Sequence, residues 1–211
     1  MPDWTVVLLG IAIGLAVAAP LGPVNLIVIR ATIKYGAAVG LAAGAGAVLA
    51  DSAFAAVAAY GDMAVGRIIS QYGFPLQLGG GLLLVVMGVH TARKHWQPSD
   101  LSAADDPKPQ TYWRKAATTF FLTATNPGAF FGMLGLFGAL SSTLNLGLAP
   151  YRPAIAVAAV AAGGLMWWVF LTVLVHRLKS KLTPAALDRI NRWAGVLIAA
   201  FGFALLIPLV Y

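Results

Sequence analysis

Long apolar stretches separated by shorter polar ones run the length of this 211-residue chain. Six of them approach the ~20 residues that a helix needs to cross a bilayer. Their pattern predicts spans over 5–29, 37–60, 74–90, 116–140, 154–175 and 193–210. Strands of a membrane barrel need only about 10 residues and alternate in polarity, so helices are predicted. The one long polar stretch, 95–115, is rich in Pro, Asp, Lys and Gln and reads as a cytoplasmic linker. It divides the chain into a first three-helix group, 1–94, and a second, 116–211, within one transmembrane domain overall. An odd number of spans precedes the linker, so the second group would enter the membrane from the opposite side. The expected fold class is therefore all-α: a polytopic membrane protein with six transmembrane helices in a 3+3 inverted-topology repeat.

Two of the apolar stretches contain helix breakers, Pro20-Leu21-Gly22-Pro23-Val24-Asn25 in the first and Thr125-Asn126-Pro127-Gly128 in the fourth. Proline lacks the backbone donor and clashes with the preceding turn, so each breaker frees carbonyls that lipid cannot solvate. Such breaks persist around a polar cavity or against packed protein. Placed in the first span of each group, they point to a transporter's substrate site. The first peptide donors of a restarted helix can hold an anion such as a carboxylate, while unwound carbonyls and the amides of Asn25 and Asn126 suit an ammonium. The blander alternative is that Pro23 and Pro127 only kink the helices, with the two asparagines satisfying the freed backbone.

Further local signals refine the picture. Thr183-Pro184 predicts an N-cap with proline at the first helical position, opening a short amphipathic helix whose Asp188, Arg189 and Arg192 lie at the cytoplasmic interface. Gly36, Gly40 and Gly44, and the Gly163-Gly164 pair, are small residues of the kind that lets membrane helices approach closely. Trp167 and Trp168 point in different directions on a helix, so at most one, taken as Trp167, would face a substrate.

Composition agrees with the membrane reading: 60% of residues are hydrophobic, 10% are charged, and mean hydropathy is +0.83. The net charge of +7 is a topology signal, because 12 of the 14 basic residues fall on alternate connections. Arg67 and Arg152 are the exceptions. Both termini are then expected outside and the basic rims at the cytoplasmic face, where they should also attract anionic lipid; nucleic acid needs no place in the account. Asp3 is the only charge before the first span, which therefore does not read as a cleavable signal peptide. With no cysteine and only three histidines, the sequence offers no disulfide, thiolate metal site or dithiol relay.

Asp51 is the only carboxylate well inside a predicted span. Burying an ionised carboxylate there costs at least ~2.5 kcal/mol, so an intramembrane acid is a functional residue by default. It would pair with a cationic substrate group or take up and release a proton. The alternative places it near the outer interface, capping backbone donors or held by Ser52. The candidate set is Pro20, Gly22, Pro23, Asn25, Thr123, Asn126, Pro127 and Trp167 for substrate, and Asp51 for proton coupling.

These residues resemble the LysE-type amino acid exporters, a superfamily that includes lysine and arginine exporters and the homoserine/threonine exporter group. The likeness covers nearly the whole chain. It is carried by the run from Pro20 through Ile29, by Ile33-Lys34-Tyr35-Gly36, by Asp51, by Asn126-Pro127 with Ala129, and by Gly164 with the Trp pair. The resemblance implies a multi-pass exporter of the bacterial inner membrane with both termini periplasmic. It also implies proton antiport, a small-molecule amino acid substrate, no cofactor, no enzyme chemistry, and a homodimer as a candidate assembly. Leu21 and Ile33-Lys34 look closer to the exporters of basic amino acids. Val24, where those usually carry Gln, and Gly132, where they carry Asp, depart from that pattern and leave basic and neutral substrates open. Other readings are a cation exporter of the same superfamily, for which one acid makes a poor metal cage, and a membrane scaffold without transport. A related thiol-disulfide carrier is excluded by the lack of cysteine.

Overall fold

The computed structural model describes residues 3–19, 23–61, 108–178 and 183–207, together with 78, 81, 82, 85, 86, 88–90, 92, 93 and 95. The described residues are helical apart from short connections. In chain order the helices are α1 (Asp3–Ala18), α2 (Pro23–Tyr35), α3 (Ala37–Tyr60), α4 (Pro109–Ala124), α5 (Pro127–Ala139), α6 (Ser141–Leu144), α7 (Arg152–Leu178) and α8 (Pro184–Leu206). Among the described residues, α3 and α7 are long and apolar enough to cross a membrane singly, and α4 with α5 has the length and apolarity of a third span if the pair, bent by 65° at its break, is taken as one.

The second predicted span, 37–60, coincides with α3. The others shift at their ends, because hydropathy marks the lipid-facing part of a helix and not its termini. The first span was expected to end at 29, but α2 continues to Tyr35. Nothing between Asn25 and Gly36 breaks a helix, and Gly36, at φ 93, supplies the left-handed turn into α3. The linker's last residues are helical too. α4 starts at Pro109, a proline at the first helical position, before the apolar run. The fifth helix covers Arg152–Leu178, longer than predicted. The expected short amphipathic helix is the opening of one continuous α8, capped as predicted by the Thr183 hydroxyl, which accepts the Ala186 N–H at 3.2 Å. Most of the third predicted span lies outside the described residues, but its described positions from Leu78 to His90 are helical, as are Ala92 and Arg93 beyond its predicted end.

Small residues set how the long helices meet. Lipid tails offer no hydrophobic drive for helix association, so van der Waals contact at close range must supply it. α1 and α7 run parallel, with Gly10 against Ala156 and Ala159 and Gly14 against Val160 and Gly164. α4 lies parallel to α3, where Gly46 faces Ala116 and Thr119, and the Thr119 hydroxyl donates across the interface to the Ala43 carbonyl. α3 and α7 themselves pack antiparallel at the centre, through Gly40 on Thr172, Gly44 on Trp168 and Gly164 on Val48. Gly81 and Gly88 pack against Leu206, Gly202, Ala199 and Gly195 of α8.

Two apolar clusters form the core. One, at the end carrying Lys34 and Arg177, joins Leu26, Val28 and Ile29 of α2 to Ala43, Ala47 and Val48 of α3 and Trp168 and Leu171 of α7. The other, at the Asp3 and Tyr60 end, joins Val6 and Ile13 of α1 to Ala55 and Ala58 of α3, Met133 and Phe137 of α5, and Val160 of α7. On α3, Asp51 falls between them. At the Asp3 end, buried Arg152 forms an ion pair with Asp3 at 3.0 Å and donates to the carbonyls of Leu144 and Asn145 at 3.5 and 3.4 Å.

Candidate functional site

The first break separates α1, which ends at Ala18, from α2, which starts at Pro23. Asn25 ties the two together: its amide Nδ2 donates to the Ala18 carbonyl at 3.2 Å, supplying a donor to a group that the interrupted helix leaves open. The Trp167 indole N–H donates to Asn25 Oδ1 at 3.2 Å, so α7 holds the amide in place from across the interface. Trp168 turns the other way, buried against Gly44, and its indole nitrogen has no hydrogen-bond partner among the described residues. The sequence separated the roles of the two tryptophans by their directions, and the structure places Trp167 at the break. Pro20 and Gly22 lie outside the described residues; Pro23 opens α2.

The second break is built differently. Asn126 caps α5, its side-chain oxygen accepting the Gly128 N–H at 3.0 Å, with Pro127 at the first helical position. Its main-chain carbonyl accepts from Ala129 and Phe130 at 3.1 and 3.2 Å. Asn126 alone therefore satisfies the opening donors of α5, and the expected vacant anion site at this helix start is already filled from within the chain. Both asparagines are thus engaged with the backbone that the breaks expose.

Asp51 is buried, 8% exposed, and its Oδ1 has no hydrogen-bond partner among the described residues. Neither a capped backbone donor nor Ser52 holds that oxygen. Its depth follows from the contacts on either side. One to two turns earlier on α3, Gly46 and Ala43 meet Ala116 and Thr119 of α4; one turn later, Phe54 packs edge-on against Phe130 of α5 with ring centroids 5.1 Å apart. Asp51 lies between those contacts and so stands level with the α4–α5 break. Thr123, in the last turn of α4, is buried there as well, and its hydroxyl likewise has no partner among the described residues.

Asp51 shares a helix face with Gly44, two turns away, which is the face that packs on α7. The first break's partner, the Trp167–Trp168 pair, and the second break therefore lie about 10 Å apart along α3, taking 1.5 Å per residue over the seven residues from Gly44 to Asp51. The structure brings Asn25 to Trp167, and Asp51 to the level of Thr123 and Asn126. The burial of Trp168 on Gly44 and the Phe54–Phe130 contact were not read from sequence. The register of α3 on α7 reveals the first and that of α3 on α5 the second, and no local motif encodes either register.

The comparisons with known proteins give the chain a family. The family model described as LysE type translocator matches residues 15–208, which takes in both breaks, Asp51 and the tryptophan pair. A relative in Bacillus subtilis (strain 168), YcgF, is 25% identical over 195 residues, covering 92% of this chain and 91% of its own, and its name gives it a provisional role in amino acid efflux. No solved structure matches the chain at a significant level. With helices throughout its described residues, two of them apolar and long enough to span a bilayer, and a family match over nearly its full length, the chain belongs to the LysE type translocators, a family of membrane transporters.

Proposed function

We propose that this translocator is a secondary exporter of amino acids or related small metabolites, taking its substrate from the cytoplasm and exchanging it for protons through Asp51. One observation carries the reading: a carboxylate buried between two apolar clusters, without a partner among the described residues, at the level of a broken helix. A charge in that position is costly and serves no packing purpose, whereas a transporter needs a group that changes its occupancy in mid-membrane. The provisional amino acid efflux role of YcgF supports the substrate class.

The remaining parts of the proposal follow from the same geometry. α1, the first helix of one half, packs on α7 of the other, and α4, which opens the second half, packs on α3. That exchange is what two three-helix units of opposite orientation produce, and it supports the 3+3 inverted repeat with units 1–94 and 116–211 joined by the linker. The ends bearing Lys34, His176 and Arg177 gather on one side, which supports a cytoplasmic location for that side, periplasmic termini and residence in the bacterial inner membrane. In this scheme Asn25 and Trp167 shape the cargo site at the first break, with Pro20, Gly22 and Pro23. Thr123, Asn126 and Pro127 shape it at the second.

The test is reconstitution in liposomes loaded with labelled amino acids, with efflux followed in the presence and absence of an imposed pH gradient. Wild-type protein should release at least one amino acid faster when the gradient is present. Asp51→Asn should insert and elute like wild type but lose gradient-driven efflux. Equal efflux by the two proteins would remove Asp51 from the mechanism.

A further inference from the structure

We infer that the Asp51 carboxylate is one site shared by the coupling proton and the substrate's ammonium group, bound in turn and never together, and that the cargo carries a single cationic group. This rests on the export reading above and sharpens it.

The chain has seven acidic residues, all aspartate: Asp3, Asp51, Asp62, Asp100, Asp105, Asp106 and Asp188. Only Asp51 sits inside an apolar stretch. Among the described residues, the helices packed around it bring no other charged side chain to its depth. Those of α1, α2, α4 and α7 are Asp3, then Arg30 and Lys34, then Arg114 and Lys115, then Arg152, His176 and Arg177, with Tyr112 as α4's titratable neighbour to its basic pair; Arg30 and Lys34 flank Thr32, which meets Gly40 eleven residues before Asp51, the others lie toward helix ends, and α5 has none. A bare carboxylate in such surroundings must be neutralised, and two agents can do it: a proton on the carboxyl, or an ammonium beside it. Both use the same oxygen atoms. The Thr123 hydroxyl, at the same level and likewise without a partner among the described residues, has the chemistry for either state, since a hydroxyl can donate to a carboxylate or accept from an ammonium or a carboxylic acid.

Exchange follows without further machinery. When the site faces the cytoplasm, the ammonium binds as the carboxyl gives up its proton to that side. When it faces outward, a proton from outside takes the carboxylate as the ammonium leaves. One proton enters for each substrate exported. A zwitterion leaves with no net charge, so each cycle moves one positive charge inward, and membrane potential alone should drive export. A second amino or guanidinium group on the cargo would be buried without a carboxylate partner among the described residues, which disfavours lysine and arginine.

The experiment uses wild-type protein and five probes: threonine, leucine, methionine, lysine and arginine. Efflux from proteoliposomes first establishes which are carried, with a potassium–valinomycin potential imposed in the absence of a pH gradient. Binding of a carried probe to detergent-purified protein in weak buffer with a pH indicator then counts the protons released across a pH series. Sharing predicts release rising to one proton per site on the acidic side. It also predicts an apparent affinity that weakens up to ~tenfold per pH unit there, because proton and substrate are reciprocally linked. Asp51→Asn should release none, and Asp51→Glu should restore release. Binding without proton release at any pH overturns the shared site while leaving export intact, as does affinity indifferent to pH. Lysine or arginine carried as well as the neutral probes overturns the single-cation limit. Efflux of none of the five overturns the export reading and this inference with it.

Discussion

The Gly14 contact between α1 and α7 gives a quantitative test of the packing that positions the site. A Cβ added at Gly14 would stand 2.9 Å from the Gly164 nitrogen and 3.0 Å from the Val160 carbonyl carbon, and would overlap the Val160 carbonyl oxygen. All three are backbone atoms of the partner helix, so no side chain can rotate away and the helices must part. Overpacking of this kind costs about 3 kcal/mol at the upper end of its range. Alanine's better helix propensity returns about 1 kcal/mol, leaving Gly14→Ala destabilised by about 2 kcal/mol. Gly132, exposed on α5 with nothing within 4 Å of its added Cβ, is the matched control. There the propensity gain stands alone, and Gly132→Ala should be stabilised by ~1 kcal/mol. The gap of about 3 kcal/mol corresponds to roughly 10 °C at the ~3 °C per kcal/mol expected for a chain of this length. Thermal unfolding of the two detergent-purified variants, followed by size-exclusion with fluorescence detection, reads it directly. Melting within a degree or two of each other would refute the close α1–α7 approach.

Three further outcomes are expected. Arg152→Ala removes the ion pair to Asp3 and leaves the Leu144 and Asn145 carbonyls without that donor, so it should cost about 2 kcal/mol; Asp3→Asn, at a half-exposed partner, should cost less than ~1 kcal/mol, and the same melting assay ranks them. Asn126→Ala and Thr183→Ala each delete a helix cap and should each cost ~1 kcal/mol, but only the former should also slow efflux, since Thr183 caps α8, which forms neither break. Trp167→Phe keeps the aromatic bulk while removing the indole donor to Asn25, so the substrate concentration at half-maximal efflux should rise several-fold with folding intact; an unchanged value would make that hydrogen bond dispensable.

The local signals in the sequence were strong where chemistry is local. Proline cannot continue a helix, so Pro127 ends α4's path and starts α5, and the bend at that point needed no tertiary knowledge. Thr183 ahead of Pro184 announced a cap that the structure contains. An acid in the middle of α3 was bound to be buried or paired, whatever packed on it. Helix ends were less legible: α2 runs on through Arg30 and Lys34, and α4 begins in residues polar enough to pass for linker, because charge does not stop a helix where a lipid–water boundary does not stop it either.

What the sequence by itself determined is the class of object: apolar helices, two of the long segments broken by proline, one acid among them, and basic residues on alternate connections. Each of these follows from the cost of exposing backbone or charge to hydrocarbon, which is settled residue by residue. Tertiary structure alone decided which groups share a depth. It set Thr123 level with Asp51, gave the Trp167 donor to Asn25, and turned Trp168 onto Gly44. Those pairings depend on the register between helices distant in sequence, and that register is fixed by where small residues allow two backbones to touch.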